Sequence, residues 1–384
     1  DIPSLGYKIY SISDNTNDNI TNKDLAASNN SIENKYFNLM INPNTGNISS
    51  IFDKVNKKEI LLSEGNLLQL FEDRPTMYDA WEILYTGVKW DLNKADEVSL
   101  VEKGPIFAKI RVKKSFLEES KIKSTPTTKF PSSFFTQDII LYNDIPRIDI
   151  ELHADWWEER ILAKVAFPIN INNNYTTYEI PNGAIKRPTT RNNSWEKARY
   201  EVPALTWADL SNNEYGVSLL NIDKYGHDTE GNTMRLTLLR APIYPDPHAD
   251  RGKHKTIYSL YPHKGSWENA GTPNRAFELN NPLITKFISK QQGKLPLSHS
   301  FMSVKNDNII ISAIKKAETS NSLIIRLYES TGKEQATELA LPFTPKSVYE
   351  TDLLENNKTK LETTSNTLLL KFKPFETKTI KAEY

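Results

Sequence analysis

A chain of 384 residues is longer than one compact core usually holds, so two domains are the first expectation. Lys plus Arg and Asp plus Glu balance at 48 each, which argues against a nucleic-acid binder or a protein drawn to anionic membranes. Cysteine is absent, which excludes a disulfide framework, a thiol nucleophile and thiolate-rich zinc sites.

Taken in chain order, "DIPSLGYKIY" reads as a short opening strand without the basic-then-apolar pattern of a secretion signal. The chain starts directly on this run, as a fragment of a longer polypeptide would. Residues 11–34 are rich in Asn, Asp and Ser and predict a linker or long loop. The N-x-S/T matches at Asn19 and Asn174 carry little weight in so Asn-rich a chain. "YFNLMINPNTGNISSIFDK" predicts a hairpin: Phe37, Leu39 and Ile41 alternate, "NPNTGN" supplies turn residues, and Ile48 begins the return.

Period-two alternation continues downstream. In "AKIRVKK" Ile110 and Val112 oppose Lys109, Arg111 and Lys113. In "RIDIELHADWW" Ile148, Ile150 and Leu152 share one face, with Arg147, Asp149 and Glu151 on the other. No apolar stripe of helical period and helical length stands out, and no run approaches the length of a transmembrane helix. Half-polar strands punctuated by Asn, Gly and Pro predict an all-β protein of stacked antiparallel sheets. A seam falls near "SKQQGKLPLSHS", residues 289–300. Beyond it "NIIISAIKKAE", "SLIIRLYESTGK" and "TLLLKFKPFETKTIKAEY" read as strands of a smaller β unit. The expected division is an opening strand and Asn-rich linker over 1–27, a large β unit over 28–288 and a small terminal sandwich over 289–384.

Three stretches carry candidate chemistry. "EDRPTMYDAWEI", residues 72–83, crowds four carboxylates with Tyr78, Trp81 and an arginine. Glycoside hydrolysis needs paired carboxylates, commonly beside aromatic faces, but a crowded polar loop has the same composition. His153-Ala-Asp155 and His248-Ala-Asp250 have a spacing that suits two metal ligands on one strand face. A protein site needs a third ligand, for which His254 and His263 are the candidates beside His248; polar strand-end residues are the alternative reading. The segments 180–211 and 221–265 predict loops carrying Arg187, Trp195, Trp207, Tyr244, Asp246, Asp250, Arg251 and His254. Such residues suit sugar hydroxyls and rings, and equally an interface with another domain. A nucleophile elbow, a phosphate-binding loop and a dinucleotide fingerprint are all missing.

These segments resemble, in order, the C-terminal β region of the family 38 glycoside hydrolases, the α-mannosidases. "SLGYKIY" looks like the family's opening strand and "NISSIFDKVNKKEIL" like its G-x-I-x-S-I-x-D-K hairpin. "GNLLQLFEDRPTMYDAWEI" is similar to its N-x-L-Q-x-x-x-D-x-P-x-x-x-D-A-W stretch, and "LLRAPIYPDPHADRGKH" and "YSLYPHKG" follow in the family's order. "SFMSVKNDNIIISAIKKAE", "IIRLYESTG" and "KPFETKTI" look like its terminal β domain. The resemblance covers about residues 4–384 and implies a galactose mutarotase-like β-supersandwich followed by a smaller β-sandwich.

It further implies that the whole protein is a retaining, metal-dependent α-mannosidase acting on terminal α-mannosides of glycans. Zinc or another divalent metal, and the aspartate nucleophile, would belong to a preceding catalytic domain, and no segment here resembles that domain. The expectation is a chain without catalytic residues or bound metal, whose partners are that catalytic domain and α-mannoside glycans, with a homo-oligomer open. Asp73, Asp79 and Trp81, with Asp250 and Arg251 from the "HADRGKH" loop, would line the substrate cleft or brace the interface. A free-standing carbohydrate-binding module and a structural or oligomerisation domain are the alternatives. The D-x-P-x-x-x-D-A-W style resembles the bacterial and cytosolic branch of the family, which implies a cytoplasmic location.

Overall fold

The structure, a computed structural model, describes residues 2–12, 24–117, 132–289 and 292–384. Asn19 and the rest of residues 13–23 of the predicted linker lie outside the described residues. These residues fall into two compact units, one of residues 24–179 and 186–280, the other of 2–12, 180–185 and 281–384.

The larger unit is built from antiparallel sheets of nine, six and five strands. Alternation explains them. Ile110, Ile139, Ile150 and Val217 from the nine-stranded sheet, Leu68, Val165 and Leu236 from the six-stranded one, and Ile32, Leu39 and Ile51 from the third enter one shared core. The predicted hairpin is present as strands Phe37–Ile41 and Ile48–Asp53, with Leu39 opposite Ile51. Its turn needs glycine at Gly46, where φ is +68° and an added Cβ would stand 2.4 Å from Val112 Cγ1. The end of the predicted linker departs from expectation: Ala26–Ser28 and Ser31–Glu33 are strands. Ile32, the lone large apolar residue among "ASNNSIEN", is fully buried and fixes them.

Two further departures concern polar residues. Arg147 and Asp149, on the polar side of their strand, are buried and joined by two hydrogen bonds of 2.6 and 3.0 Å, and Ser259 donates to Asp149 at 2.6 Å. The same sheet carries Asp209, which accepts from Ser218, itself hydrogen-bonded to Thr272. Thr272 opens the helix Thr272–Asn280, which packs on strands Trp207–Ser211 and Tyr215–Asn221. Its buried side is only Thr272, Pro273, Ala276 and Leu279, too small an apolar stripe to signal a helix.

The six-stranded sheet likewise holds charge on the face away from the core. Lys164, opposite Gln69 and Thr237, is buried and pairs with Asp228 at 2.6 Å and with Glu201. Arg235 holds the other oxygen of Asp228 at 2.7 Å. Burial pushes the Tyr85 hydroxyl beside them up to about 12. His227, next along the chain from Asp228, is fully buried, and burial lowers its imidazole from 6.5 to about 3. Between those values the unfolded chain binds a proton that the folded chain refuses, so stability falls with acid at up to about 1.4 kcal/mol per pH unit. Urea unfolding of His227→Asn is therefore expected to show a shallower loss from pH 6.5 toward pH 3 than the parent chain; equal slopes would contradict this.

The smaller unit stacks a five-stranded on a three-stranded antiparallel sheet around Ile325, Leu327, Leu339, Val348, Leu370, Phe372 and Ile380. Gly6–Lys8 pairs with Ser298–Ser300 as a separate two-stranded ribbon of this unit. The "YESTG" turn is organised by Glu329, fully buried. Its carboxylate accepts from the backbone N–H groups of Thr331 and Gly332 (2.7 Å each), Lys333 (3.1 Å) and, from the "KPFE" turn, Phe375 (3.0 Å).

Candidate functional site

Strand Leu67–Asp73 ends by feeding the loop 74–84, and the loop's base is locked. Asp73 is buried; one carboxylate oxygen accepts from Leu84 N–H at 2.8 Å, the other from Arg240 Nε at 2.7 Å. Arg240 goes on to donate to the carbonyls of Ala80 (3.1 Å) and Glu82. Arg74 N–H closes the loop on the Leu84 carbonyl at 2.9 Å. Both oxygens of Asp73 are thus engaged, and the residue anchors the base of the loop.

Asp79 is buried too, its Oδ2 3.8 Å from Arg160 Nε, and neither of those two atoms has a hydrogen-bond partner among the described residues. Trp81 is the opposite case. It is 68% exposed, with its ring at a T-shaped angle to Tyr78 (ring centroids 6.4 Å apart, 79°), and its backbone N–H donates to the Tyr78 carbonyl at 2.8 Å. Asp73 and Asp79 are thus buried, while Glu82 and the aromatics Tyr78 and Trp81 are exposed.

The second predicted pair lies on 241–251. Asp250 is exposed at φ +59°, and its carbonyl accepts from His254 Nε2 at 2.6 Å. Arg251 donates to His248 Nδ1 at 2.8 Å and pairs with Glu159. Glu159 and Arg160 thus bring the two loops to one turn. Glu159 holds the 241–251 loop through Arg251; Arg160 faces Asp79, gives its carbonyl to Asp73 N–H at 2.7 Å and its own N–H to the Ala241 carbonyl at 2.6 Å. Exposed Tyr78, Trp81 and Tyr244 stand on this pair of loops.

Glu159, Arg160 and Arg240 were not singled out from sequence, yet they assemble the site. The available signal was an arginine closing an alternating strand just before "APIYP", and an acid–arginine pair ending "WWEER". Trp207 is a correction: it lies on a strand, is almost wholly buried, and packs on Trp267 with ring centroids 4.9 Å apart. Arg187 places its guanidinium 5.0 Å over the Tyr178 ring and donates to the Pro203 carbonyl at 3.1 Å. Trp195 is exposed on the short helix Ser194–Lys197.

The histidines do not fit a zinc site. His153 is engaged by Glu151 at 2.8 Å, Asp155 takes the Trp157 indole N–H at 2.7 Å, and His248 Nδ1 is occupied by the Arg251 cation. Among the described residues no three His, Asp or Glu side chains gather as a metal-holding group.

The fold and this loop pair define an all-β class of stacked antiparallel sandwiches. It is shared with the crystal structure of an alpha-mannosidase from Enterococcus faecalis V583, at a TM-score of 0.79 and 18% identity over 94% of this chain and 43% of that one. Residues 32–248 match the model of the Glycosyl hydrolases family 38 C-terminal domain, and residues 308–380 that of the Glycosyl hydrolases family 38 C-terminal beta sandwich domain. The chain belongs to glycoside hydrolase family 38, within its C-terminal β region. It is 33% identical over 363 residues to Alpha-mannosidase G of Dictyostelium discoideum, covering 91% of this chain and 32% of that protein. It is 32% identical over 355 residues to human Alpha-mannosidase 2C1, covering 90% and 33%. The chain thus spans about a third of the length of these curated relatives.

Proposed function

We propose that this chain is the non-catalytic β region of a metal-dependent, retaining α-mannosidase that removes terminal α-mannosides from glycans. It docks on the catalytic domain, where zinc or another divalent metal would reside, and completes the substrate cleft. One observation carries the reading: Trp81 is held out to solvent on a loop whose base is locked by half-buried Arg240 on buried Asp73. A large aromatic ring presented by a fixed loop has the geometry for stacking on a sugar, with little ordering left to do on binding. The relatives named as alpha-mannosidases, and the share of their length that this chain spans, support the docking.

The test uses the full-length polypeptide and this chain alone. The isolated chain is expected to leave an aryl α-mannoside intact even with zinc or cobalt added; robust turnover ends the reading. Trp81→Ala in the full-length protein is expected to lower kcat/KM about tenfold, with the melting temperature unchanged to about 1 °C. Lost stability with unchanged kcat/KM would assign Trp81 to bracing an interface.

A further inference from the structure

Residues 282–289 form no helix or strand and lie open along their whole length. Leu283 is 72% exposed, Ile284 97% and Phe287 88%, with Ile288 also exposed. Leu295 and Leu297 continue the apolar character where the chain turns into the ribbon, held there by Ile9 N–H to the Leu297 carbonyl and the Tyr7 hydroxyl to the Pro296 carbonyl, 2.8 Å each. Single exposed apolar residues are ordinary, whereas four large ones within six positions mark a surface that another surface covers. The two-stranded ribbon beside it is an element of marginal stability by itself.

We propose that this strip, residues 283–289 with Leu295 and Leu297, is a second docking surface for the catalytic domain of the α-mannosidase, in addition to the Trp81 loop. The proposal rests on the functional reading above. Two observations select that occupant. About two thirds of a relative's length lies outside the portion that this chain spans, which supplies a partner of sufficient size. Charge then states its chemistry: from Leu279 to Asn306 the chain has lysines, Lys286 and Lys294 among them, and no acidic residue. The covering face is therefore an apolar groove with carboxylates at its rim, and the lysine heads stay at the edge while Ile284 and Phe287 enter.

Hydrogen exchange read by mass spectrometry on the 384-residue chain and on the full-length polypeptide tests this. Peptides spanning 282–289 are expected to exchange freely in the chain alone and at least about tenfold more slowly in the full-length protein. The double variant Ile284→Asp/Phe287→Asp is expected to lower the melting temperature of the full-length protein by several degrees and that of the chain alone by no more than about 1 °C. Equal exchange in both forms overturns the proposal. So does protection in the chain alone that grows with its concentration, because a second copy would then be the occupant. A full-length protein without mannosidase activity would refute the function proposed above while leaving the exchange comparison able to decide the strip.

Discussion

Lys164→Ala is expected to cost about 3–5 kcal/mol of folding stability, read as a lowered urea midpoint of the larger unit. Lys164 is buried between Glu201 and Asp228, and truncation leaves two carboxylates facing each other in the interior. Asp228 keeps Arg235, so the uncompensated charge falls on Glu201, whose carboxyl burial already holds above the usual range. Adding Glu201→Gln to Lys164→Ala should return at least about half of the loss, because an amide tolerates the site where an anion does not. A single-variant loss under about 1 kcal/mol, or no recovery in the double variant, would contradict the assignment. The damage should also reach the candidate site. Tyr200, adjacent to Glu201, meets Tyr85 edge to face with ring centroids 5.6 Å apart and donates to the Ile83 carbonyl at 2.7 Å, at the far end of the Trp81 loop.

The second large effect belongs to Arg240. Arg240→Ala removes the partner of buried Asp73 and two donors to loop carbonyls together, for an expected loss of about 3–5 kcal/mol. Arg240→Lys keeps the charge but cannot fork to Asp73 and both carbonyls, and should recover only part of it. Function separates the two anchors. In the full-length protein Arg240→Ala should lower kcat/KM at temperatures where the fold persists, since the ring of Trp81 is no longer held in place, whereas Lys164→Ala/Glu201→Gln should leave kcat/KM closer to wild type. An Arg240→Ala enzyme with unchanged kcat/KM would separate the loop from the chemistry.

The sheets were legible because alternation at Ile110–Val112, Ile148–Leu152 and Phe37–Ile41 corresponds to buried faces. The polar faces misled in one respect. Arg147 and Asp149 sit at positions that alternation assigns to water, and they are buried because they pair with each other and with Ser259 there. Period-two patterning reports which side a residue faces and says nothing of what lies over it. The site was half legible. "EDRPTMYDAWEI" drew attention through its composition, and Trp81 stands exposed within it. What fixes that loop, Arg240 against Asp73 and Arg160 beside Asp79, joins positions 167 and 81 residues apart, and no local pattern encodes such a pairing.

Glu329 has a consequence for how the smaller unit can vary. One anion is the shared acceptor for N–H groups of two turns that are far apart in sequence, so the turns are constrained as a pair. Lengthening either one would withdraw donors from a charge that water cannot reach to replace them. Insertions are thus channelled to the other connections of this sandwich, and its last strand, Thr377–Glu383, inherits a start point set by a residue on its neighbour.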